Sequence, residues 1–396
     1  MAVSTPTDLS SVASYLNSHS IPFDQITPLS GGFTNYIFLI SHATRPPFVL
    51  KHSSTSIKSF PSMSASVDRA DCEVRALRIM PELLKNALPT RIGQGVGSQS
   101  DLDDDLNVHL PVLLHYDSAS HVQHLVACGV RTLKDAYADA RLDVPSLGGR
   151  LGRWLARLHA VAPVPDAFSE NSVGQRVCGA GYRNAPRVLK AAGLDSEAFR
   201  QVGARYEQQI EDEDVENGAS AICHGDFWPG NVLLSTGTEG STVRYESLSK
   251  GASGKVDELE VSGIGGVDST SISARRLTVL DWEMSRRGHG ATDVGQFAAE
   301  AWLLDTFRGG RGLLTAFLSA YAEEVGHRMT LMFAKRAGVH MGVHLAYWPS
   351  MVVPAWADEA GTIGILEFGR DLAVNVEGRG VEWMRESAMR ELVAWL

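Results

Sequence analysis

The chain has 396 residues, 44% of them hydrophobic, and is therefore long enough to bury the cores of two lobes. Its formal net charge of -10 argues against a general nucleic-acid-binding or anionic-membrane-binding protein. Four widely spaced cysteines without a CxxC pair predict neither a disulfide framework nor a zinc site. Because the chain starts without a signal-peptide pattern and has no apolar run long enough to span a bilayer, we expect a cytoplasmic protein without a membrane segment.

The first hundred residues predict a small sheet preceded by a helix. Leu9, Val12 and Leu16 recur at helical spacing. The apolar runs at 36–40 (YIFLI) and 48–52 (FVLKH) flank the turn-rich SHATRPP, a pattern typical of an antiparallel hairpin.

A second helix is predicted between residues 67 and 80, where Ala70, Val74 and Leu77 mark one face. Two strand patterns, DLNVHLPVLLHYD and HVQHLVACG, follow it. Residues 26–130 therefore predict a small antiparallel sheet that carries one helix.

Helical periodicity dominates after Gly129, beginning with LGGRLGRWLARLHAV. The strand patterns NVLL and LTVLDW interrupt it, and between them residues 235–276 are rich in Gly, Ser and Thr. This composition predicts a long flexible insertion in a hairpin. The chain as a whole predicts an α+β fold with a sheet-rich first part and a mainly helical second part.

The stretch HGDFWPGNVLL carries the strongest chemical signal. Asp226 and Asn231 have the spacing of a kinase catalytic loop, in which the Asp accepts the proton of a hydroxyl group and the Asn holds a metal ion. Asp281, at the end of an apolar run, can supply an anionic ligand for Mg²⁺, which prefers oxygen donors. The pattern predicts phosphoryl transfer from ATP.

Residues upstream predict the phosphate side of such a site. Lys51 ends the strand FVLK, and Glu73 lies 22 residues later on the buried face of the second helix, where it can form a salt bridge with Lys51. Gly31 and Gly32, just before the first strand of the hairpin, would let backbone N–H groups approach phosphate oxygens.

The stretches LSGGFTNY, VLKH, LARLHA, HGDFWPGNVLL and VLDWE resemble the aminoglycoside phosphotransferase, choline kinase and methylthioribose kinase superfamily. Within it, the chain is most similar to the fungal 4-hydroxytryptamine kinase type. The resemblance covers about residues 27–348. It implies a bilobal protein-kinase-like fold with an N-terminal ATP-binding lobe (1–127), a hinge (128–133) and a C-terminal catalytic and substrate-binding lobe (134–396).

The resemblance also assigns roles by position. It implies that Asp226 is the catalytic base and that Asn231 and Asp281 bind Mg²⁺. The nucleotide-binding set that it implies comprises Gly31, Gly32, Thr34, Asn35, Lys51, its partner Glu73, and Val126 and Cys128 in a hinge segment (126–129) that meets adenine.

The sequence departs from the protein-kinase pattern at several positions. Gly225 replaces the Arg of the H-R-D loop, Trp282 and Glu283 replace the last two residues of D-F-G, and no Ala-Pro-Glu follows Asp281. We therefore do not expect a peptide substrate or control by an activation loop. Glu283 itself has three interpretations: contact with a second metal, contact with the substrate, or simple solvation.

Structural roles, rather than catalytic ones, are favoured for three further residues. His224 is expected to orient the catalytic loop by hydrogen bonding, and His159 is expected to be a structural histidine. Asp293 is expected either to cap a helix or to brace the loop.

Two groups of residues have weaker support. His340 and His344 are four residues apart, but no Glu follows His340, so zinc is not expected. Tyr347, Trp348 and Trp356 near two acidic residues could hold an amine, although an aromatic core with a solvated acidic turn is an equal alternative.

The functional prediction is a small-molecule kinase, monomeric or weakly dimeric, that acts on a hydroxyl group of a metabolite, with an amine-containing acceptor as a hypothesis. Two alternatives remain: a noncatalytic nucleotide-binding regulator and a kinase for a protein-bound acceptor. The intact set of Asp226, Asn231, Asp281 and Lys51 argues against the first alternative.

Overall fold

The computed structural model describes residues 5–29, 34–87, 106–129, 131–169, 171–211, 221–235, 276–351 and 356–396. The predicted phosphate-loop glycines Gly31 and Gly32 lie outside the described residues, as does almost all of the predicted insertion at 235–276. Within the described ranges, no helix is both long and apolar enough to cross a membrane.

The described α-helices occur along the chain between Leu9 and Arg385. They are α1 (Leu9–Ser18), α2 (Asp68–Ala87), α3 (Leu133–Ala136), α4 (Val144–His159), α5 (Ser172–Ala191), α6 (Glu197–Glu211), α7 (Ala291–Phe307), α8 (Leu313–Val325), α9 (Leu331–Leu345) and α10 (Glu359–Arg385). The last of these changes direction at Gly380.

The described strands lie mainly in the first third of the chain. They are β1 (Gln25–Pro28), β2 (Tyr36–His42), β3 (Arg45–His52), β4 (Ser56–Ile57), β5 (Phe60–Ser64), β6 (Val108–His109), β7 (Leu113–Asp117), β8 (Val122–Val126), β9 (Arg131–Thr132), β10 (Ala221–Cys223), β11 (Val232–Ser235), β12 (Arg276–Val279) and β13 (Arg286–Gly288).

The N-terminal region is a five-stranded antiparallel sheet in the order β1-β2-β3-β8-β7. Helix α1 begins after Asp8, whose side chain accepts the N–H of Ser11 at 2.8 Å. The apolar face of α1 and the sheet form a small core of Val12, Tyr15, Leu16, Phe38, Ile40, Leu50 and Val122. The predicted antiparallel sheet is confirmed. Its middle strand β3 carries Lys51 at a buried position.

One predicted strand is wrong in its extent. The pattern at 105–117 forms two short strands: β7 joins the five-stranded sheet, whereas β6 pairs in parallel with β12 in a second sheet. Pro111 lies between them and has no N–H to donate to a sheet ladder. The sequence pattern correctly predicts strand at both ends of this stretch. It does not identify which sheet β6 or β7 joins.

The chain passes from the first sheet to the second between β8 and β9. Strand β8 ends at Val126, and β9 pairs with β11 of the four-stranded sheet, whose order is β6-β12-β11-β9. Gly129 has φ +134°, and a Cβ at this position would lie 2.9 Å from the carbonyl oxygen of Leu234. The close approach of two backbones therefore requires glycine here.

The remainder is mostly helical, as predicted. Helix α4 packs along α8, and α7 packs along α9, which in turn contacts α10. Stacked and edge-on rings fill the centre of this region, namely Trp154, Phe227, Trp282, Phe297 and Phe317. Since Phe227 and Trp282 belong to the two predicted site motifs, these motifs are anchored directly in the core.

Candidate active site

The predicted catalytic loop connects β10 to β11. The hairpin partner of β11 is β12, which leads directly to Asp281. The N–H of Leu280 donates to the carbonyl of Asn231 at 2.8 Å, so the two motifs are joined by their backbones. Asp226, Asn231 and Asp281 therefore lie at one end of the same hairpin.

His224 holds the loop to the following motif. Its Nε2 lies 2.8 Å from the carbonyl oxygen of Leu280, and its Nδ1 accepts the N–H of Asp226 at 3.2 Å. Burial lowers the pKa of His224, which favours the neutral ring that these two contacts require. The His224 ring therefore orients the loop by hydrogen bonding, as expected from the sequence.

Asp293 braces the same loop from α7. Its carboxylate accepts the backbone N–H of His224 at 2.7 Å and that of Gly225 at 2.9 Å, and it lies 3.2 Å from Nε2 of His159. Burial opposes the charged form, but the His159 contact and nearby charges lower the pKa of Asp293 to about 2. The loop-bracing interpretation is therefore correct and the helix-cap interpretation is wrong, because Gly290 caps α7.

The backbone conformation at position 225 explains why glycine, and not arginine, follows His224. It has φ +84°, and a Cβ would lie 2.2 Å from the carbonyl oxygen of Met284. A side chain would be strained by the backbone conformation and would clash with the segment after Asp281. The loop and the Asp281 segment thus approach each other more closely than a residue with a side chain permits.

The phosphate side of the site is a group that we call the lysine cluster: Lys51, Glu73, Asp281 and Glu283. Nζ of Lys51 lies 2.7 Å from Oε2 of Glu73 and also contacts the Asp281 carboxylate. Burial disfavours the ammonium, but the charges of Asp281, Glu73 and Glu283 raise the pKa of Lys51 above its ordinary value. The salt bridge predicted between Lys51 and Glu73 is present.

Glu283 is buried, so the solvated interpretation is wrong. Its Oε2 accepts the side-chain N–H of Asn35 at 2.8 Å and lies 3.5 Å from Nε of Arg69. Burial, reinforced by Asp281 and Glu73 and opposed by Lys51, raises the pKa of Glu283. Asn35, predicted to bind nucleotide, has its side chain engaged in this network.

Arg69 was missed by the sequence analysis. It lies four residues before Glu73 on α2, so the two buried side chains lie on the same face of the helix. Arg69 also donates to the side-chain oxygen of Asn35 at 3.1 Å. A charged residue on the buried stripe of α2, one turn before Glu73, was the available signal.

The acceptor side of the site is a group that we call the aspartate clamp: Asp226, Asn231 and Gln296. The side-chain amide of Asn231 donates to Oδ2 of Asp226 at 2.9 Å, and that of Gln296 donates to Oδ1 at 2.7 Å. Burial and the Asp281 charge raise the pKa of Asp226 to about 6, although the two amides oppose the shift. Sequence reasoning missed Gln296, whose signal was its position one turn after Asp293 on α7.

The donor set suits a hard divalent cation. Carboxylate oxygens of Glu73, Asp281 and Glu283 lie within 4.8 Å of one another. The side chain of Asp281 is 33% exposed, so solvent can reach its carboxylate. Asp281 also has φ +66°, a left-handed conformation that is uncommon for a residue other than glycine and that aims its carboxylate.

The predicted hinge residues lie where the chain leaves the first sheet. Val126 pairs with Phe48 at the end of β8, and Cys128 follows in the connection to β9, where burial raises the pKa of its thiol. Thr34 accepts the N–H of Lys58 at 3.2 Å. The structure brings these three residues to the first sheet and its exit; their contacts with a nucleotide stay predictions.

The weaker sequence groups separate in the structure. His340 lies 2.9 Å from the hydroxyl of Tyr182, whereas His344 lies 2.9 Å from the carboxylate of Glu300. The Trp348 ring lies 6.3 Å from the His344 ring. The two histidines therefore have different partners.

A lysine of the chain itself lies against the Trp356 ring. The ammonium of Lys134 lies 4.9 Å from its ring centroid and 4.8 Å from that of Trp228 in the catalytic loop. Asp358 instead caps α10 by accepting the N–H of Gly361 at 2.8 Å. No sequence pattern marks Lys134, which α3 places against both rings.

Comparisons with known proteins give related kinases and phosphotransferases. The profile of the "Phosphotransferase enzyme family" matches residues 25–243, more than half of the chain. A 4-hydroxytryptamine kinase of Psilocybe cyanescens is 24% identical over 85% of this chain and 84% of its own length. A 4-hydroxytryptamine kinase of Psilocybe cubensis is 24% identical over 90% of this chain and 89% of its own.

A solved Ralstonia eutropha structure, described as a candidate aminoglycoside phosphotransferase, has the same fold. It superposes with a TM-score of 0.51 at 13% identity and covers 94% of this chain and 99% of its own. At this identity the likeness concerns the fold alone.

Proposed function

Because the chain belongs to the phosphotransferase enzyme family, we propose that it is an ATP-dependent small-molecule kinase that transfers the γ-phosphate of Mg·ATP to a hydroxyl group. The observation that carries the proposal is the pairing of a partly buried carboxylate, Asp226, with a neighbouring lysine cluster at one end of the β11–β12 hairpin. Phosphoryl transfer needs little more than a base at the acceptor and charge neutralisation at the phosphates.

On the acceptor side, Asp226 accepts the hydroxyl proton as the acceptor oxygen bonds to the γ-phosphorus. The bond between that phosphorus and the β-γ bridging oxygen breaks, and ADP leaves with the bridging oxygen. The raised pKa of Asp226, about 6, makes the carboxylate a better base while leaving it largely ionised at neutral pH.

On the phosphate side, the Lys51 ammonium is the group of this chain that offsets phosphate charge. Glu73 fixes its position through the 2.7 Å contact. Gln123 donates to the same Glu73 oxygen at 2.9 Å, so this carboxylate is itself oriented by a neighbour. These contacts preorganise the cation before the nucleotide binds.

Asp281 and Asn231 are the residues proposed to hold Mg²⁺. The bound ion would supply additional positive charge to the phosphate oxygens. The clamp fits this assignment, because Asn231 uses its N–H group for Asp226 and leaves its amide oxygen available for coordination.

The acceptor is proposed to be a small metabolite that carries an amine. Support comes from the names of the two Psilocybe relatives, which act on a hydroxylated tryptamine by name, and from the net charge of -10. We also propose an N-terminal lobe (1–127) and a C-terminal lobe (134–396) joined by a hinge (128–133). The protein is proposed to be a cytoplasmic monomer or weak homodimer.

The test is ADP release from Mg·ATP in the presence of 4-hydroxytryptamine, choline, an aminoglycoside or methylthioribose. The Asp226→Asn variant is assayed in parallel, with its thermal unfolding midpoint and ATP affinity measured to verify the fold. Stimulation by one acceptor, reduced about 10²- to 10⁴-fold in the variant at similar ATP affinity, is expected. ATP binding without stimulated release from any acceptor would favour a noncatalytic protein, and an unaffected Asp226→Asn variant would contradict the mechanism.

A further inference from the structure

The Asp226 carboxylate is held on both of its oxygens by neutral amides. Asn231 belongs to the same loop, but Gln296 comes from α7, 70 residues further along the chain. Each carboxylate oxygen has two lone pairs, so each can accept one amide N–H and still accept the proton of a hydroxyl group. The contact with Gln296 therefore orients the base without blocking it.

Helix α7 holds Gln296 in a fixed place. Asp293, one turn earlier, binds two backbone N–H groups of the catalytic loop. Glu300, one turn later, lies 2.9 Å from His344 of α9 in a buried pair. Spacings of three and four residues put all three side chains on one face of the helix. Gln296 is thus flanked by anchored residues on both sides.

An isolated carboxylate rotates easily about its last side-chain bond, because that torsion has only a broad preference. A base that must meet an acceptor hydroxyl in line with the γ-phosphate needs a defined plane. Asn231 alone fixes one oxygen, and the second contact by Gln296 fixes the plane.

The neutral amide is also chemically suited to this position. A lysine or arginine would hold the carboxylate more tightly, but a cation favours the ionised form and would reduce its basicity. An amide orients the carboxylate and weakens it as a base far less.

From these contacts we infer that Gln296 is a positioning residue for phosphoryl transfer, which sets the plane of the Asp226 carboxylate toward the acceptor hydroxyl. The inference rests on the proposed function, since it assigns Gln296 to the same base.

The experiment compares Gln296→Met, which keeps side-chain length and removes the N–H donor, with Gln296→Asn, which keeps the amide and shortens its reach. The matched control is Gln201→Met: Gln201 also donates to a carboxylate, that of Glu197 at 3.0 Å, but on an exposed helix face. kcat, both KM values and the thermal midpoint are measured with the panel acceptor that gives the highest turnover, or with water as acceptor if none does.

We expect both Gln296 variants to lose about 10- to 100-fold in kcat, with the KM for ATP within about twofold of wild type and Gln201→Met unchanged. A purely structural role would lower the thermal midpoint without this split. Unchanged kcat in Gln296→Met, with Asp226→Asn inactive, would overturn this inference alone. Full turnover in Asp226→Asn would instead overturn the proposed function itself.

Discussion

The lysine cluster surrounds a single ammonium with three carboxylates, whereas the aspartate clamp holds one carboxylate between two neutral amides. Both groups are largely buried and lie at the same hairpin end. In the first, positions are fixed by charge; in the second, they are fixed by hydrogen bonds that carry no net charge.

This difference matches the tasks proposed for the two sides. A site for a phosphate-bound cation benefits from excess negative charge, because the cation offsets it on binding. A base must stay able to accept a proton, so its partners should orient it without stabilising the ionised form too strongly. Electrostatics therefore distinguishes the two sides as clearly as position does.

The largest expected effect comes from breaking the lysine cluster. Lys51→Met would leave Glu73 and Asp281 without the ammonium that contacts both of them, whereas Glu283 would keep Arg69. We expect a loss of about 3 to 5 kcal/mol in the free energy of unfolding, as for a broken buried ion pair. Glu73→Gln should cost less, because Lys51 keeps Asp281 as a partner. Urea unfolding in EDTA measures both losses.

The effect of Mg²⁺ on stability is a second test of the lysine cluster. Millimolar Mg²⁺ should stabilise Lys51→Met more than wild type, because the ion can take the place of the missing positive charge. Lys85→Met, at an exposed position of α2, is the matched control. Equal stability of Lys51→Met and wild type, or an equal Mg²⁺ effect on both, would contradict the charge-based description of this cluster.

A pH profile tests the clamp. The pKa of Asp226 is raised from 3.8 to about 6, chiefly by burial, and the base is active only when ionised. We therefore expect kcat/KM to fall about tenfold per pH unit below about pH 6 and to level off above it. The pKa of Lys51 is raised, so its ammonium should add no alkaline decline below about pH 9.

The profile is to be recorded with ATP affinity measured at each pH. If kcat/KM stays constant down to about pH 4.5 while ATP affinity is unchanged, Asp226 is not the titrating base. If kcat/KM and ATP affinity decline together as the pH falls, the titrating group belongs to the phosphate side of the site.

The smallest expected effect concerns the contact of Lys134 with Trp228 of the catalytic loop. Its ammonium lies over the rings of Trp228 and Trp356, and cation–π contacts are worth about 0.5 to 1 kcal/mol each. Lys134→Met should lower the free energy of unfolding by about 1 kcal/mol, and Lys134→Arg should retain most of it. Turnover should change less than about threefold, since Asp293 and His224 still hold the loop.

Unfolding in urea distinguishes this prediction from an ordinary surface substitution, for which Lys85→Met again serves as the comparison. A loss in Lys134→Met no larger than in Lys85→Met would show that the two indole rings gain nothing from the ammonium. A tenfold loss of turnover would show instead that the loop depends on it.

Much of the fold was predictable because it is encoded in local patterns. The hairpin of β2 and β3 followed from two apolar runs around a turn, and α4 followed from a helical stripe. The exception was the strand pattern at 105–117, since alternation identifies a strand but not its partner.

For the site, the sequence by itself determined the groups whose relation is local. Asp226 and Asn231 share one loop, and Glu73 sits on the buried stripe of a helix that the spacing predicts, so its pairing with Lys51 could be expected. Only the tertiary structure decided that Gln296 holds Asp226 and that Arg69 and Asn35 hold Glu283. These partners lie far apart in the chain, and an amide or a guanidinium on a helix face carries no sign of which distant carboxylate it will meet until the helices and the sheet have packed.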